Sequence, residues 1–175
     1  MGCGPLGVLL AAALVLPGCG YRMVGAPGVG KTGASQLWIG PVDDEGSEPL
    51  FGAKLARGLN REAVDRAGFS LAGRGAASRF LTVRVDAVTE RGAAYSAPDV
   101  IREYVVTAEV TATLAGAEGK PIWTGKAIRL DREYLAGSTV QEMENNKDEA
   151  LQLLAGDLSR EILRRVSLVL EDSRP

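Results

Sequence analysis

Alternating apolar and polar residues predict strands through the middle of the chain. The alternation is cleanest over 80–89 and 102–114, and a third, less regular strand is predicted over 121–130. Two shorter strands are predicted over 36–42 and 69–71. Because successive side chains of a strand point to opposite faces, this pattern indicates a sheet with one buried face. The predicted buried face carries Leu81, Val83, Val85 and Ala87 on one strand and Tyr104, Val106, Ala108, Val110, Ala112 and Leu114 on the next.

Apolar residues at helical spacing predict two amphipathic helices. The first covers 48–67, with Ser47 or Glu48 as its N-cap. The second covers 146–170, with Asn146 as its N-cap and Glu149 completing a capping box. The apolar stripes consist of Phe51, Leu55, Leu59 and Ala63 in the first helix and Leu151, Leu154, Leu158, Ile162, Val166 and Val169 in the second.

The order of these elements predicts an α+β fold with a single domain over 36–175. We expect a two-layer sandwich, in which a mostly antiparallel sheet of about four strands carries two helices on one face. Residues 90–100 contain Gly92 and Pro98, which predict a loop between the two long strands. Leu154 and Leu158 are expected to lie in the core.

The composition excludes most enzyme chemistry. The 175 residues include no histidine, which removes histidine-based catalysis and histidine-ligated metals. The only cysteines are Cys3 and Cys19, so the rest of the chain has no disulfide and no catalytic thiol. Lys and Arg total 20 against 22 for Asp and Glu, which argues against nucleic-acid binding. We therefore expect no catalytic site, no metal and no cofactor.

The N-terminal segment resembles a bacterial lipoprotein signal. An apolar run over 6–16 is too short to cross a bilayer as a helix. It leads into Leu16-Pro17-Gly18-Cys19, which resembles the lipobox, where cleavage precedes a cysteine that is then lipidated. The resemblance implies a signal peptide over 1–18, lipidation at Cys19, and an acylated, Gly-rich tether over 19–35. A plain signal peptide, or a buried strand that contains Cys19, is the alternative.

Residues 25–32 match the phosphate-binding pattern G-x-x-x-x-G-K-[ST] at every position. Such a loop needs a buried strand before it and a helix that starts at Lys31 and Thr32. The residues that follow, through Pro41, predict the entry to a strand instead, so we interpret 25–32 as part of the tether and expect no nucleotide. An NTPase acting through Lys31 is one enzyme alternative. A hydrolase is another, and its carboxylates would be Asp43, Asp44 and Glu45.

Five segments together resemble a known protein family. They cover residues 16–21, 37–42, 102–114, 119–123 and 144–150. In this order and spacing they resemble the LptE family, the lipopolysaccharide-assembly lipoproteins of Gram-negative outer membranes. The resemblance implies a protein without enzymatic activity that sits inside the β-barrel partner LptD as a plug, helps that barrel to fold, and contacts lipopolysaccharide. It also implies an outer-membrane location, facing the periplasm or inside the barrel. Another outer-membrane lipoprotein, such as an activator of peptidoglycan synthesis, is the alternative.

The ligand that this resemblance implies is anionic, and two arginines are placed to meet it. Arg91 and Arg102 flank residues 92–100 of the predicted loop, and by alternation both continue the apolar side of their strands. Both guanidinium groups should then emerge on the same side of the sheet, where they suit the phosphates of lipid A. The alternative is that Glu90 and Glu103 neutralise them. Further candidates for lipopolysaccharide binding are Lys126, Arg129 and Arg132.

Overall fold

The computed structural model describes residues 35–65, 69–97 and 100–172. Its elements in chain order are β1 (Ser35–Asp44), α1 (Phe51–Asp65), β2 (Phe69–Leu71), β3 (Arg79–Ala97), β4 (Val100–Gly116), β5 (Pro121–Leu135) and α2 (Val140–Asp172). The strands form one sheet in the order β2-β1-β3-β4-β5. The predicted α+β class is confirmed, with five strands where the sequence predicted about four.

The sheet combines a parallel and an antiparallel part. β1 runs parallel to β2 and β3, whereas β3, β4 and β5 are antiparallel neighbours. Parallel neighbours cannot be joined by a tight turn, and α1 is the crossover between β1 and β2. Leu55 and Leu59, both fully buried, hold α1 against the sheet.

Both helices contribute to one hydrophobic core on the same face of the sheet. Leu154 and Leu158 of α2 are fully buried, which confirms that they are core residues. The alternation predicted for β4 is also confirmed from Val106 to Leu114, because every second residue there is buried in the core. The core residues of β3 and β4 are Leu81, Val83, Val85, Val88, Val106, Ala108, Val110, Ala112 and Leu114.

A β-bulge in β3 corrects the predicted face of Ala87. Val85 pairs with Val110, but the next paired residue, Ala87, lies opposite Glu109 on the other face. The extra residue shifts the alternation by one position, so that Val88 returns to the core in place of Ala87. The prediction that Ala87 shares the face of Leu81 was therefore wrong.

The predicted loop over 90–100 was also wrong. β3 continues to Ala97 and β4 begins at Val100, so the two strands form one long hairpin. Irregularities in register occur after Gly92, Ala94 and Tyr95. These irregularities interrupt the alternation of apolar and polar residues, although the two strands stay paired on both sides of each one.

The first helix begins later than predicted, because its cap comes from β1. α1 starts at Phe51, and neither Ser47 nor Glu48 caps it. The Asp44 carboxylate accepts the Gly52 N–H at 2.7 Å, which satisfies one of the free donors at the helix start. The Ser47 hydroxyl instead donates to the Val88 carbonyl.

The second helix begins earlier than predicted, at Val140. The Thr139 hydroxyl oxygen accepts the Glu142 N–H at 3.2 Å, and the Glu142 carboxylate accepts the Ser138 N–H at 2.8 Å. This arrangement is close to a capping box and sets the true N-terminus. The Asn146 side chain does not cap the helix; it donates to the Leu135 carbonyl of β5.

The two helices approach most closely at Gly58 of α1. A Cβ at this position would lie 2.5 Å from the Ser159 Oγ and 3.3 Å from the Ala155 carbonyl oxygen of α2. Ser159 is buried, and its hydroxyl donates to the Ala155 carbonyl at 2.7 Å. Glycine therefore sets the separation between the helices, although it has low intrinsic helix propensity.

Candidate functional site

The face of the sheet opposite the helices is polar, and we term it the open face. Thr82, Thr113 and Thr124 lie side by side on it across three strands. Glu109 also lies on this face, opposite Ala87 on one neighbour and Arg129 on the other. Neither described helix contributes to the core from this side. The two described helices therefore leave this face uncovered, and most of its described residues are exposed or half-buried, whereas Val105 and Thr107 are buried.

An aromatic pair with an arginine lies at the β1 end of the open face. Trp38 and Phe80 are register partners in β1 and β3, with ring centroids 6.0 Å apart. The guanidinium carbon of Arg74 lies 5.2 Å from the centre of the Trp38 ring. These three residues, with Thr82 and the turn at 117–119, border a pocket of about 380 Å³.

The chemistry of this pocket suits an anionic amphiphile. A guanidinium group can bind phosphate or carboxylate in two-pronged fashion, and the aromatic rings supply apolar walls. Stacking on Trp38 restrains Arg74, so that less side-chain freedom is lost when an anion binds. The residue pattern did not predict this pocket. The available signal was Trp38, which alternates with Leu37 and Ile39 and therefore points away from the core.

The structure changes the predicted face of Arg91. Arg91 lies opposite Val105, on the open face, because the bulge before Ala87 shifts the alternation of β3. The prediction that Arg91 continues the core side was therefore wrong. Arg102 lies near the same end of the hairpin, and its carbonyl accepts the Ala136 N–H of β5. Both side chains are exposed.

The neighbouring carboxylate Glu90 is engaged elsewhere. The Lys147 ammonium of α2 lies 3.1 Å from Glu90 and 2.9 Å from Glu48. Burial raises the pKa of Tyr134, and a hydrogen bond to the Glu90 carboxylate raises it further. Glu90 therefore faces the helix side of the sheet and ties α2 to the hairpin, instead of neutralising Arg91.

The three cations of β5 occupy different environments. Arg132 lies opposite Val106 on the helix side, where its guanidinium group forms an ion pair with Asp157 of α2. Arg129 is exposed on the open face. Lys126 is exposed next to Gly125, opposite Ala112, where the register of β5 is irregular.

The five basic residues do not form one cluster. Arg91 pairs with Val105, and Lys126 follows the partner of Ala112, which places the two residues about 20 Å apart along the strands. Arg91 and Arg102 share the hairpin end of the sheet. The sheet therefore presents its unpaired positive charge in separate places along its length.

Two of the three carboxylates of the hydrolase alternative, Asp44 and Glu45, are engaged by neighbouring residues. Asp44 uses one oxygen for the Gly52 N–H and the other for the Gly46 N–H. Glu45 lies 3.9 Å from Arg84, whose pKa is raised mainly by its hydrogen bond to Asp86. A pair of free carboxylates flanking a cleft is needed for acid–base hydrolysis, and Asp44 is committed to capping α1.

Two earlier predictions concern residues outside the described part of the structure. Cys19 and Lys31 both lie before residue 35. The lipobox and the glycine-rich stretch over 25–32 therefore stay predictions. Within the described helices, no segment combines the length and apolar character needed to cross a bilayer.

Solved structures with the same architecture include several described as lipoproteins. Rare lipoprotein B of Shewanella oneidensis superposes with a TM-score of 0.55 at 12% identity, covering 77% of this chain and 97% of its own. Lipoprotein B of Nitrosomonas europaea gives a TM-score of 0.55 at 17% identity, covering 80% and 90%. A lipoprotein of Caulobacter crescentus gives 0.53 at 18% identity, covering 77% and 93%. These likenesses define the class of fold.

The family follows from the sequence match. Residues 34–166 match the family model described as LptE, lipopolysaccharide-assembly. The chain belongs to the LptE family, as the sequence resemblance predicted. No curated protein sequence matches this chain.

Proposed function

We propose that this protein is an outer-membrane lipoprotein that helps to assemble and plug an LptD-type β-barrel and contacts lipopolysaccharide during its insertion into the outer leaflet. The family match over 34–166 is the observation that carries this proposal. The structural relatives described as lipoproteins support the membrane anchor. The role is one of binding and assembly, without catalysis.

Co-purification from native membranes tests the partner. A C-terminally tagged chain should recover an integral β-barrel protein in a fixed ratio. Recovery of a penicillin-binding protein in place of a barrel would favour the alternative role, activation of peptidoglycan synthesis. The control is an unrelated tagged lipoprotein, which should recover neither partner.

The anchor is proposed at Cys19, after a signal peptide over 1–18 and ahead of a tether over 19–35 and a folded domain over 36–175. Intact-mass analysis of the membrane-extracted protein should show a chain that begins at Cys19 and carries acyl groups. Cys19→Ser should abolish the added mass, whereas Cys3→Ser should leave it unchanged, because Cys3 leaves with the signal peptide. A mature chain with an unmodified Cys19 would refute the anchor.

Lipopolysaccharide contact is proposed on the open face and at the hairpin end. The guanidinium group of Arg74 over Trp38 suits a phosphate beside an apolar group. Arg91 and Arg102 are exposed and have no ion pair with any residue that the structure describes. The other proposed ligand residues are Lys126, Arg129 and Arg132. Arg132 ranks last, because its ion pair with Asp157 already neutralises its charge.

A double charge reversal tests the hairpin end. Arg91→Glu with Arg102→Glu should weaken lipopolysaccharide binding severalfold in the chain that starts at residue 20. The matched control is Arg57→Glu with Arg61→Glu, which changes the charge equally on exposed positions of α1. Equal losses in the two double variants would show that net charge alone governs binding. Unchanged binding in the folded first variant would move the ligand site elsewhere.

A further inference from the structure

One edge of the sheet is unpaired along a regular strand. β5 is the last strand and pairs only with β4. The Ala136 N–H donates to the Arg102 carbonyl at 2.9 Å, and in this register the backbone groups of residues 131, 133 and 135 point away from β4. Among the described residues, only the Asn146 side chain meets these groups, at the Leu135 carbonyl. The outward N–H and C=O groups at 131 and 133 are therefore free to pair with another strand.

Only the C-terminal half of β5 offers this edge in a regular form. Near its start, Ala127 has a positive φ of 51°, and the register with β4 shifts between Val110 and Ala112. Such a bulge twists a strand and prevents continued pairing, which is a common protection of free edges. From Ile128 to Leu135 the pairing with β4 runs without a shift.

An apolar groove runs beside this half of the strand. It has a volume of about 220 Å³ and lies between β5 and α2. Leu135 on β5 is 64% exposed and Leu153 on α2 is 50% exposed. Ala150 of α2 also lines the groove. Exposed leucines around a concave surface are typical of a binding site for an apolar side chain.

The charged residues around the groove indicate which side chains a partner segment would carry. Glu133 and Glu149 line it, and Asp131 lies two residues before Glu133 on the same face of β5. None of the three forms an ion pair with another described residue. An incoming strand would place alternate side chains toward Ala150 and Leu153 of α2 and toward Asp131 and Glu133 on the open face. Apolar residues suit the first set and basic residues suit the second.

We propose that the C-terminal half of β5 binds an extended segment of a partner protein by strand addition, and that this segment alternates apolar and basic residues. The main-chain bonds at 131 and 133 supply affinity, and the groove and its carboxylates supply selectivity. This surface is distinct from the aromatic pocket, and the proposal does not depend on lipopolysaccharide binding or on a barrel partner.

The test uses a fluorescent seven-residue peptide that alternates lysine and valine, added to the full chain in mild detergent. Anisotropy should report saturable binding. Glu133→Pro removes the outward N–H, which an edge strand tolerates, and should weaken binding at least tenfold. Glu133→Gln keeps the N–H and should weaken it only about threefold, by analogy with the small effect of single exposed charges. Leu153→Glu should also weaken binding, whereas Leu168→Glu, at an exposed leucine farther along α2, should leave it unchanged.

Hydrogen exchange gives a readout that does not depend on a proline variant. Bound peptide should slow exchange of the amides at 131 and 133, while the already paired amides of β5 change little. A peptide with proline at its centre should fail to protect them. Equal binding by folded Glu133→Pro, or binding without protection of these amides, would overturn the proposal. A dimer that Glu133→Pro dissociates would overturn it too, since the occupant would then be a second copy of the chain.

Discussion

Leu158 provides the strongest test of how α2 holds the sheet. Its side chain is fully buried in the core, whereas the same 33-residue helix, about nine turns long, also carries the exposed leucines Leu153 and Leu168. Leu158→Ala loses about 2.5 kcal/mol of transfer free energy, and the unfilled cavity adds up to about 2 kcal/mol. We therefore expect the free energy of unfolding of this variant to be about 3–4 kcal/mol lower.

Leu168→Ala on the same helix is the matched control. Leu168 is 53% exposed, so the same substitution removes a side chain that is already half in water. The change in helix propensity is identical, and we expect less than about 0.5 kcal/mol of destabilisation. The difference between the two variants therefore isolates burial.

Urea denaturation of the chain that starts at residue 20 measures both variants. Leu158→Ala should lower the midpoint without changing the slope, because the surface exposed on unfolding stays similar. Its melting temperature should fall by about 2–4 °C for each kcal/mol lost. Equal losses in both variants, or a loss below about 0.5 kcal/mol for Leu158→Ala, would refute the assignment of this stripe to the core.

Three further predictions concern contacts of α2. Gly58→Ala should destabilise the protein, because the new Cβ would lie 2.5 Å from the Ser159 Oγ. In a double-mutant cycle measured by urea denaturation, Ser159→Ala should restore part of the lost stability. Additive effects of the two substitutions would refute the contact. Hydrogen bonds from Arg164 and then from Arg165 lower the pKa of Glu161 to about 2 from an ordinary value of 4.5. The ionised Glu161 carboxylate therefore stabilises the folded state fully above pH 4.5, and this contribution is lost as the pH falls toward 2. Glu161→Gln should lower the free energy of unfolding by about 0.5–1 kcal/mol at pH 7 and by almost nothing near pH 2, as measured by urea denaturation at both pH values. The same loss of stability at both pH values would contradict this prediction. Lys147→Met should destabilise by about 1–3 kcal/mol, since it leaves Glu48 and Glu90 facing one another, and Glu90→Gln in the same chain should recover part of that loss.

The positions of some candidate residues could be predicted from the sequence, and those of others could not. Arg91 and Arg102 were correctly placed near the hairpin end, because they bracket the segment where β3 turns into β4. The pocket at Trp38, Phe80 and Arg74 was missed, because its aromatic pair forms only when β1 and β3 become neighbours in parallel. No local pattern in a sequence reports which strands will be adjacent.

The sequence by itself determined which segments form strands, except for the residues over 90–100 that it assigned to a loop, and it determined the apolar stripes of both helices and the α+β class. Alternation and helical spacing are local properties, since each depends only on which side of its own element a residue faces. β4 was predicted correctly from Val106 to Leu114, because its alternation there is uninterrupted.

The tertiary structure decided the phase of β3, the start of α1 and the faces of the charged residues. The bulge before Ala87 has no signature in the residue types, so the side on which Arg91 emerges depends on pairing with β4. The cap of α1 comes from Asp44, which belongs to the preceding strand and reaches Gly52 only after the chain has turned. These features depend on contacts between elements, and alternation within a single element cannot encode them.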